Sequence, residues 1–522
     1  MDESRTAMAR TAPNLEFELK LTASPEVLRR AFERLPGADG DDPASATDRL
    51  SAIYYDTPDR RLARHGAALR VRRAGARFTQ TLKVAKGPLE RLEHDVEVPG
   101  LAPALDRLPR DAVAKRVGAV LEDELAPVFA TDVTRRTRRV AIENGVAGEV
   151  ELALDEGEIR AGERSEPIAE IEVELKGGAP AAVFAVADAL VAAGAARLVA
   201  GSKAARGYEL AAGRGPSWSK AEATSLARDH AVGDALGRIL DGVFRQIWAN
   251  LDAAFDGRDP EGVHQLRVAV RRLRSALTLF KPVLAADRRA ALADEARWAM
   301  GRLGPVRDRD VFATEMLPPV AVARPNDAAL ATLRATAEDA REQAYAELRG
   351  AMASARWTRF VLTLARWIHA RGWYDEADAA MQLALAEPLG SFADRVLAKR
   401  AKAVKKSGKN FADLDTEQRH EVRKSLKKLR YAAEFLRGLY PEKPTKRYLK
   451  RLSTLQDAFG HMNDTATAET LLGELIDPSD PRLAEGRGLV LGWYGHAASR
   501  GDAELVADWE DFVAAEPFWR GA

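Results

Sequence analysis

The chain has 522 residues, of which 46% are hydrophobic, 30% charged and 7% aromatic. This composition indicates a folded protein of roughly two to four domains and excludes a disordered chain. Lysine and arginine number 79 and aspartate and glutamate 78, so any electrostatic function must come from local segregation of charge. The absence of cysteine excludes disulfides, thiolate zinc sites and cysteine nucleophiles. With no signal-peptide core and no run of about 18 apolar residues, we expect a cytoplasmic protein that does not bind membranes.

The chain divides into a β-rich part and a helical part. Up to about residue 212, apolar and polar residues alternate in short runs, which is typical of strands. From about residue 222, apolar residues recur at spacings of three and four, which is typical of helices. We therefore predict a multidomain α+β protein with these parts: a β domain over 1–212, a linker over 213–221, an all-α domain over 222–512 and a tail over 513–522.

The helical part contains an internal repeat. HQLRVAVRRLR from His264 aligns without gaps on HEVRKSLKKLR from His420, an offset of 156 residues. The same offset pairs Phe255 with Phe411, Gly304 with Gly460 and Asp308 with Asp464. Such agreement predicts a duplicated unit, and the long period favours two facing helix bundles over a solenoid.

Most strands of the β-rich part have one charged face. In the segment 14–20, alternation places Glu16, Glu18 and Lys20 on one side and apolar residues on the other. A single strand of this kind could simply expose its charges to water, but five or six of them favour a barrel with a charged lumen. Clustered cations call for a polyanion, and clustered carboxylates without cysteine call for Mg²⁺ or Mn²⁺. A polyphosphate chain with a divalent metal satisfies both.

The β-rich part contains an ordered set of motifs. They are the E-x-E-x-K of Glu16, Glu18 and Lys20, the segments 54–58 and 69–72, Thr81 to Lys83, Arg91-x-Glu93-x-Asp95, Glu151 with Asp155, Glu170-x-Glu172-x-Glu174, and Ser202-Lys203 ahead of Gly207-Tyr208. With these motifs the chain resembles the CYTH family, the triphosphate tunnel metalloenzymes, over roughly residues 13–211. The resemblance implies an eight-stranded antiparallel tunnel that binds a triphosphate and two divalent ions.

The resemblance also implies individual roles. The implied metal ligands are Glu16, Glu18, Asp155, Glu170 and Glu172. The implied phosphate-binding residues are Lys20, Arg70, Arg72, Lys83, Arg91, Arg136, Arg138 and Lys203. Arg135 and Arg139 flank the last arginine pair, and a register shift of one residue would exchange the two pairs.

A catalytic scheme follows from the chemistry of phosphoryl transfer, which needs charge stabilisation and a water held in line. In this hypothesis Glu16 and Glu18 hold one metal, and a second near Asp155 and Glu170 or Glu172 holds the attacking water. Lys20 either deprotonates that water or binds phosphate. The sequence does not distinguish these two roles.

The repeated helices carry matching basic stripes. The first stripe is His264, Arg267, Arg271 and Arg274, and the second is His420, Arg423, Lys427 and Arg430. Each stripe alone could be a solvated face, but their repetition favours a positively charged cleft between the two bundles. No aromatic residue interrupts either stripe, which favours inorganic polyphosphate over specific nucleic-acid binding.

The helical part contains five motif segments, which are 263–267, 271–274, 303–310, 420–431 and 459–464. With these segments it is similar to the CHAD family over roughly residues 222–512. The resemblance implies two pseudo-symmetric four-helix bundles that bind inorganic polyphosphate. In the second repeat Lys427 and Lys428 replace two arginines, which retains the positive charge but not the forked hydrogen bonding.

Together these observations predict a metal-dependent inorganic triphosphatase, a hydrolase of phosphoric anhydrides, joined to a domain that binds long-chain polyphosphate. We expect a cytoplasmic location with association to polyphosphate granules. The alternatives are a polyphosphate-binding or localising protein without turnover, or a tunnel enzyme acting on thiamine triphosphate or ATP, including adenylate cyclisation. P-loop, zincin and serine hydrolase motifs do not occur in the chain.

Overall fold

The computed structural model describes residues 14–35, 46–109, 124–142, 147–477 and 479–520. Within these ranges the side chains of Asn14, 460–467 and 496–502 lie outside the description, and so do the predicted repeat positions Gly460 and Asp464. The chain forms two compact units. The first comprises 1–219, 248–262 and 352–366, and the second comprises 220–247, 263–351 and 367–522.

The first unit contains an antiparallel barrel. Its strands follow the order β5-β4-β3-β2-β6-β7-β8-β1, and pairing of β5 with β1 closes the sheet. A two-residue strand, β9, pairs with β1. This confirms the predicted eight-stranded antiparallel tunnel. The strands are β1 Asn14–Thr22, β2 Ala46–Asp56, β3 Ala67–Ala74, β4 Arg77–Ala85, β5 Glu90–Val98, β6 Ala126–Ile142, β7 Gly148–Ala161, β8 Arg164–Gly178 and β9 Arg197–Leu198.

The strand registers decide which residues face the lumen. Residues directly opposite each other in an antiparallel pair point to the same side of the sheet. The pairs Glu18 with Glu174, Lys20 with Glu172 and Arg135 with Asp155 therefore share one face.

Another part of the lumen is apolar, where Tyr54 stacks on Phe129 with ring centroids 4.4 Å apart. Outside the barrel, Phe184 contacts Phe17 edge-on at 5.9 Å. The helices of this part are α1 Pro25–Arg34, α2 Arg61–Arg64, α3 Ala181–Ala192 and α4 Lys203–Ala212.

The remainder of the described chain is helical, as predicted. Helix α6 begins with proline at its first position, and Asp415 forms a capping box with Gln418 at the start of α13. No helix in the described ranges has the length and apolar character that a membrane span requires. The helices are α5 Val232–Asp256, α6 Pro260–Leu279, α7 Ala286–Val311, α8 Leu317–Ala323, α9 Ala328–Met352, α10 Ala355–His369, α11 Ala379–Ala386, α12 Leu389–Ser407, α13 Thr416–Leu436, α14 Glu442–Leu475 and α15 Pro481–Ala514.

The helix bounds follow the 156-residue offset of the sequence repeat. Shifting α6 by 156 gives residues 416–435, and α13 spans Thr416–Leu436. Shifting α7 gives residues 442–467, and α14 begins at Glu442. Three of these four helix boundaries therefore agree to within one residue, whereas α14 continues beyond the shifted end of α7 to Leu475.

Candidate functional site

The lumen contains a charged cavity of about 630 Å³. More than half of its lining residues lie on the barrel strands, where side chains alternate toward the inside, and the rest lie on helices and loops. Nine residues predicted from the sequence meet at this cavity: Glu16, Glu18, Lys20, Arg70, Arg72, Lys83, Arg91, Glu172 and Lys203.

The first acidic cluster consists of Glu16, Glu18 and Glu174, whose carboxylate oxygens lie within 4.8 Å of one another. Burial, followed by the charge of Glu16, raises the pKa of Glu174 to about 7. The pKa of Glu16 is also raised, mainly by burial. Glu18 pairs with Lys20 at 3.1 Å and with Arg91, and Glu174 pairs with Lys176 at 2.6 Å. The three carboxylates of this cluster suit Mg²⁺ or Mn²⁺, which prefer oxygen ligands.

Glu174 was not among the predicted metal ligands. The signal was present, since Glu170, Glu172 and Glu174 alternate on one face of β8. The registers of β8 and β1 bring the last of these beside Glu18, not beside Asp155. Glu174 therefore joins the cluster of β1.

The second acidic cluster consists of Asp155, Glu170 and Glu172, again within 4.8 Å. Lys203 Nζ lies 2.6 Å from Asp155, 2.5 Å from Glu170 and 2.9 Å from Glu172. Arg135 Nη2 contacts Asp155 at 2.6 Å and Glu172 at 2.5 Å. Burial opposes the charge of Glu172, but Lys203 and Lys20 hold its pKa well below the ordinary range. The spacing fits a divalent ion, and these carboxylates, like those of the first cluster, already have protein cations as counterions.

Six of the eight predicted phosphate-binding residues line the same cavity. Arg91 pairs with Glu18, and Lys83 pairs with Glu93 and lies 3.8 Å from Glu16. Burial, followed by the charge of Arg70, lowers the pKa of Lys83 to about 7.

Arg70 and Arg72 form no ion pair with the described residues. Arg70, followed by burial, lowers the pKa of Arg72 to about 10. The lowered pKa of Arg72 indicates positive charge that no carboxylate balances and that a bound anion would neutralise.

The structure corrects the placement of Arg136 and Arg138. Both guanidinium groups lie over the ring of Phe32, at 5.3 and 5.1 Å, outside the lumen. Arg136 Nη1 lies 3.5 Å from Glu33. Because neighbouring strand residues point to opposite faces, the observed register places Arg135 in the lumen instead.

The basic stripes of α6 and α13 come together within the second unit. The Arg271 guanidinium lies 5.6 Å from the ring centroid of Tyr431. Burial, followed by Arg423, Arg271 and Arg267, lowers the pKa of Lys427 to about 8. Arg267, Arg271 and Lys427 form no ion pair with any described side chain. This surface therefore combines several cations without carboxylate partners.

The other predicted stripe residues have different environments. Arg430 pairs with Glu434 at 2.7 Å and donates to Gln456 at 2.9 Å. Arg274 and His420 are exposed, whereas His264 is half-buried. The positive surface is thus centred on Arg267, Arg271, Arg423 and Lys427, with the rest of the two stripes around it.

The fold and its sites define a triphosphate-tunnel type of barrel followed by a duplicated helical domain. The CYTH domain model matches residues 14–208 and the CHAD domain model matches residues 238–473. The chain therefore contains a CYTH domain followed by a CHAD domain.

The chain is also similar to individual proteins and to a solved structure. Two uncharacterized proteins of Mycobacterium tuberculosis are 27% identical over 445 residues, covering 81% of this chain and 83% of the relative. An inorganic triphosphatase of Haemophilus influenzae is 33% identical over 170 residues, covering 31% of this chain and 46% of that protein. The crystal structure of the CHAD domain from the plant Ricinus communis has a TM-score of 0.50 and 32% identity, covering 58% of this chain and 98% of that one.

Proposed function

We propose that the barrel is a metal-dependent inorganic triphosphatase and that the helical domain binds long-chain polyphosphate. The observation that carries the proposal is the convergence, in one cavity, of a metal-suited carboxylate cluster and the unpaired cations Arg70 and Arg72. The Haemophilus influenzae relative, an inorganic triphosphatase that aligns over 170 residues, supports this substrate class.

In the proposed site, Glu16, Glu18 and Glu174 hold a divalent cation. This ion would compete with Lys20, Arg91 and Lys176 for the carboxylates. A second ion at Asp155, Glu170 and Glu172 would compete with Lys203 and Arg135. A bound divalent ion would supply positive charge next to the phosphoryl oxygens.

The cations of the lumen bind and orient the phosphates, and the residues in this role are Lys20, Arg70, Arg72, Lys83, Arg91, Arg135 and Lys203. Such fixed positive charge stabilises the transferred group and positions it for attack. Lys20 Nζ lies 3.1 Å from both Glu18 and Glu172, and these two ion pairs favour phosphate binding over proton abstraction.

The proposed role of the helical domain depends on the unpaired cations of α6 and α13. A flexible polyanion gains affinity from each cation that it neutralises and from the counterions that it releases. Arg267, Arg271 and Lys427 are available for such neutralisation, since no described carboxylate lies within ion-pair distance of them.

We propose residues 1–212 and 222–512 as the two domains. We also propose a cytoplasmic location in association with polyphosphate granules.

Phosphate release from tripolyphosphate, ATP and thiamine triphosphate, each with Mg²⁺, Mn²⁺ or EDTA, tests the proposal. We expect release from tripolyphosphate only with a divalent ion. Glu16→Ala and Glu18→Ala should abolish it, because each removes a carboxylate of the metal cluster. Glu163→Ala, an exposed change outside the cavity, is the matched control. Undiminished release in EDTA would contradict the mechanism, and polyphosphate binding without any release would favour the localising alternative.

A further inference from the structure

Helix α5 reaches the tunnel site through two residues one helical turn apart. Trp248 is 8% exposed and lines the charged cavity of the lumen. Asp252 follows four residues later and therefore lies on the same side of the helix. Both residues belong to the first compact unit, although α5 lies in the part of the sequence predicted to be the helical domain.

The Asp252 carboxylate binds the backbone immediately before Lys203. Its Oδ2 accepts hydrogen bonds from Ala200 N at 3.1 Å and Gly201 N at 2.7 Å. Its Oδ1 accepts one from Arg197 Nη1 at 3.3 Å. A Cβ atom at Gly201 would lie only 3.2 Å from Asp252 Oδ2, so glycine permits this close approach.

The same short segment is fixed on its other side by β1. Leu198 pairs with Leu21 in the sheet, and Val199 N donates to Lys20 O at 3.0 Å. Ser202 then caps α4, and Lys203 is the first residue of that helix. The segment 197–202 is therefore held between the strand that carries Lys20 and the carboxylate of Asp252.

We infer that Asp252 is a positioning residue for Lys203, so that a residue beyond the barrel sequence completes the tunnel site. Two adjacent amides that donate to one carboxylate oxygen fix the local path of the backbone. This path aims Lys203 Nζ at three carboxylates of the lumen. Without Asp252 the two amides lose their acceptor, and the start of α4 becomes free to move away from the acidic cluster. The inference rests on the proposed function, which names tripolyphosphate as the ligand of the tunnel.

A double-mutant cycle on the full chain tests this role, with Asp252→Ala, Lys203→Met and the two changes together. Tripolyphosphate affinity is measured by calorimetry in EDTA, where the proposed reaction does not run. We expect Asp252→Ala to weaken binding about tenfold in the wild-type background and to have little effect when Lys203 is already methionine, since coupled residues are not additive. Asp241→Ala, on the same helix but paired only with the exposed Arg245, is the control.

Two further measurements keep the test independent of folding and of turnover. Asp252→Asn retains an acceptor for the amides and should weaken binding by only about threefold. Hydrogen exchange over residues 200–206 without ligand should accelerate in Asp252→Ala and not in Asp241→Ala. Equal losses of affinity in both Lys203 backgrounds, or unchanged exchange, would overturn the inference. Failure of the proposed function has a different signature: the wild-type chain binds tripolyphosphate but releases no phosphate with any metal.

Discussion

The ionisation of Glu174 connects the stability of the barrel to the metal site proposed at Glu16, Glu18 and Glu174. In the metal-free protein, burial and Glu16 raise the pKa of this side chain from 4.5 to about 7. The folded state therefore binds more protons than the unfolded state between these values, so stability should fall as pH rises from about 4.5 to about 7 and level off above that. At 1.36 kcal/mol per pKa unit, ionising Glu174 in the folded state costs about 3 kcal/mol.

Replacing Glu174 with glutamine removes this charge and keeps the shape of the side chain. At pH 8 in EDTA, we expect Glu174→Gln to stabilise the barrel by up to about 3 kcal/mol and to flatten its pH dependence between 5 and 7. With Mg²⁺ present, the same variant should bind metal more weakly, because one of three clustered carboxylates is lost.

Thermal unfolding measured across pH, with and without Mg²⁺, checks both effects. Glu163→Gln, at an exposed turn, serves as the control. A Glu174→Gln variant with the pH profile and metal response of the wild type would refute the reasoning.

Three other predictions concern the bound anions. Arg135→Gln should lower kcat/KM for tripolyphosphate by an amount equivalent to about 2–5 kcal/mol of transition-state stabilisation. Arg136→Gln, outside the lumen, should change kcat/KM by the equivalent of less than about 0.5 kcal/mol. Equal effects of the two variants would contradict the observed register. The pKa of Lys427 is about 8, and polyphosphate binding should require this side chain to be protonated. The affinity should therefore weaken by up to about tenfold per pH unit above pH 8. In a titration between pH 7 and 9, Lys427→Arg should flatten this pH dependence. Replacing Arg267 and Arg423 together with glutamate should weaken polyphosphate binding far more than the same replacement of the exposed pair Arg334 and Arg487. Equal losses of affinity in a filter-binding assay would indicate that the stripes are only a nonspecific basic surface.

Much of the fold was predictable because alternation and helical periodicity are local properties of the sequence. Glu16, Glu18 and Lys20 share a face in any strand that includes them, and closing such strands into a barrel leaves only one interior for their charges. The duplication was predictable for a similar reason, since a gapless offset of 156 residues carries the helix boundaries with it.

The arginine pairs of β6 were not predictable in the same way. The sequence of residues 135–139 reads RRTRR, so either register places two arginines on each face. The choice depends on the pairing of β6 with β7, which aligns Arg135 with Asp155 and is a long-range property. Asp252 is a stronger case, because its hydrogen bonds reach across about fifty residues to a segment in the other predicted domain.

The two proposed anion sites differ in how far their cations are paired with carboxylates, although the whole chain has a net charge of only +1. In the lumen, Arg70 and Arg72 have no ion pair among the described residues, but Lys203 is buried and already paired with carboxylates. A phosphate that binds Lys203 therefore exchanges one set of buried ion pairs for another. A divalent metal makes that exchange more favourable, because it takes over carboxylates that the cations leave. On the helical surface Arg267, Arg271 and Lys427 have no such partners among the described side chains, so a polyanion need only displace mobile counterions. We therefore expect ligand binding to depend mainly on metal in the barrel and mainly on salt in the helical domain, because more carboxylates accompany the cations of the barrel.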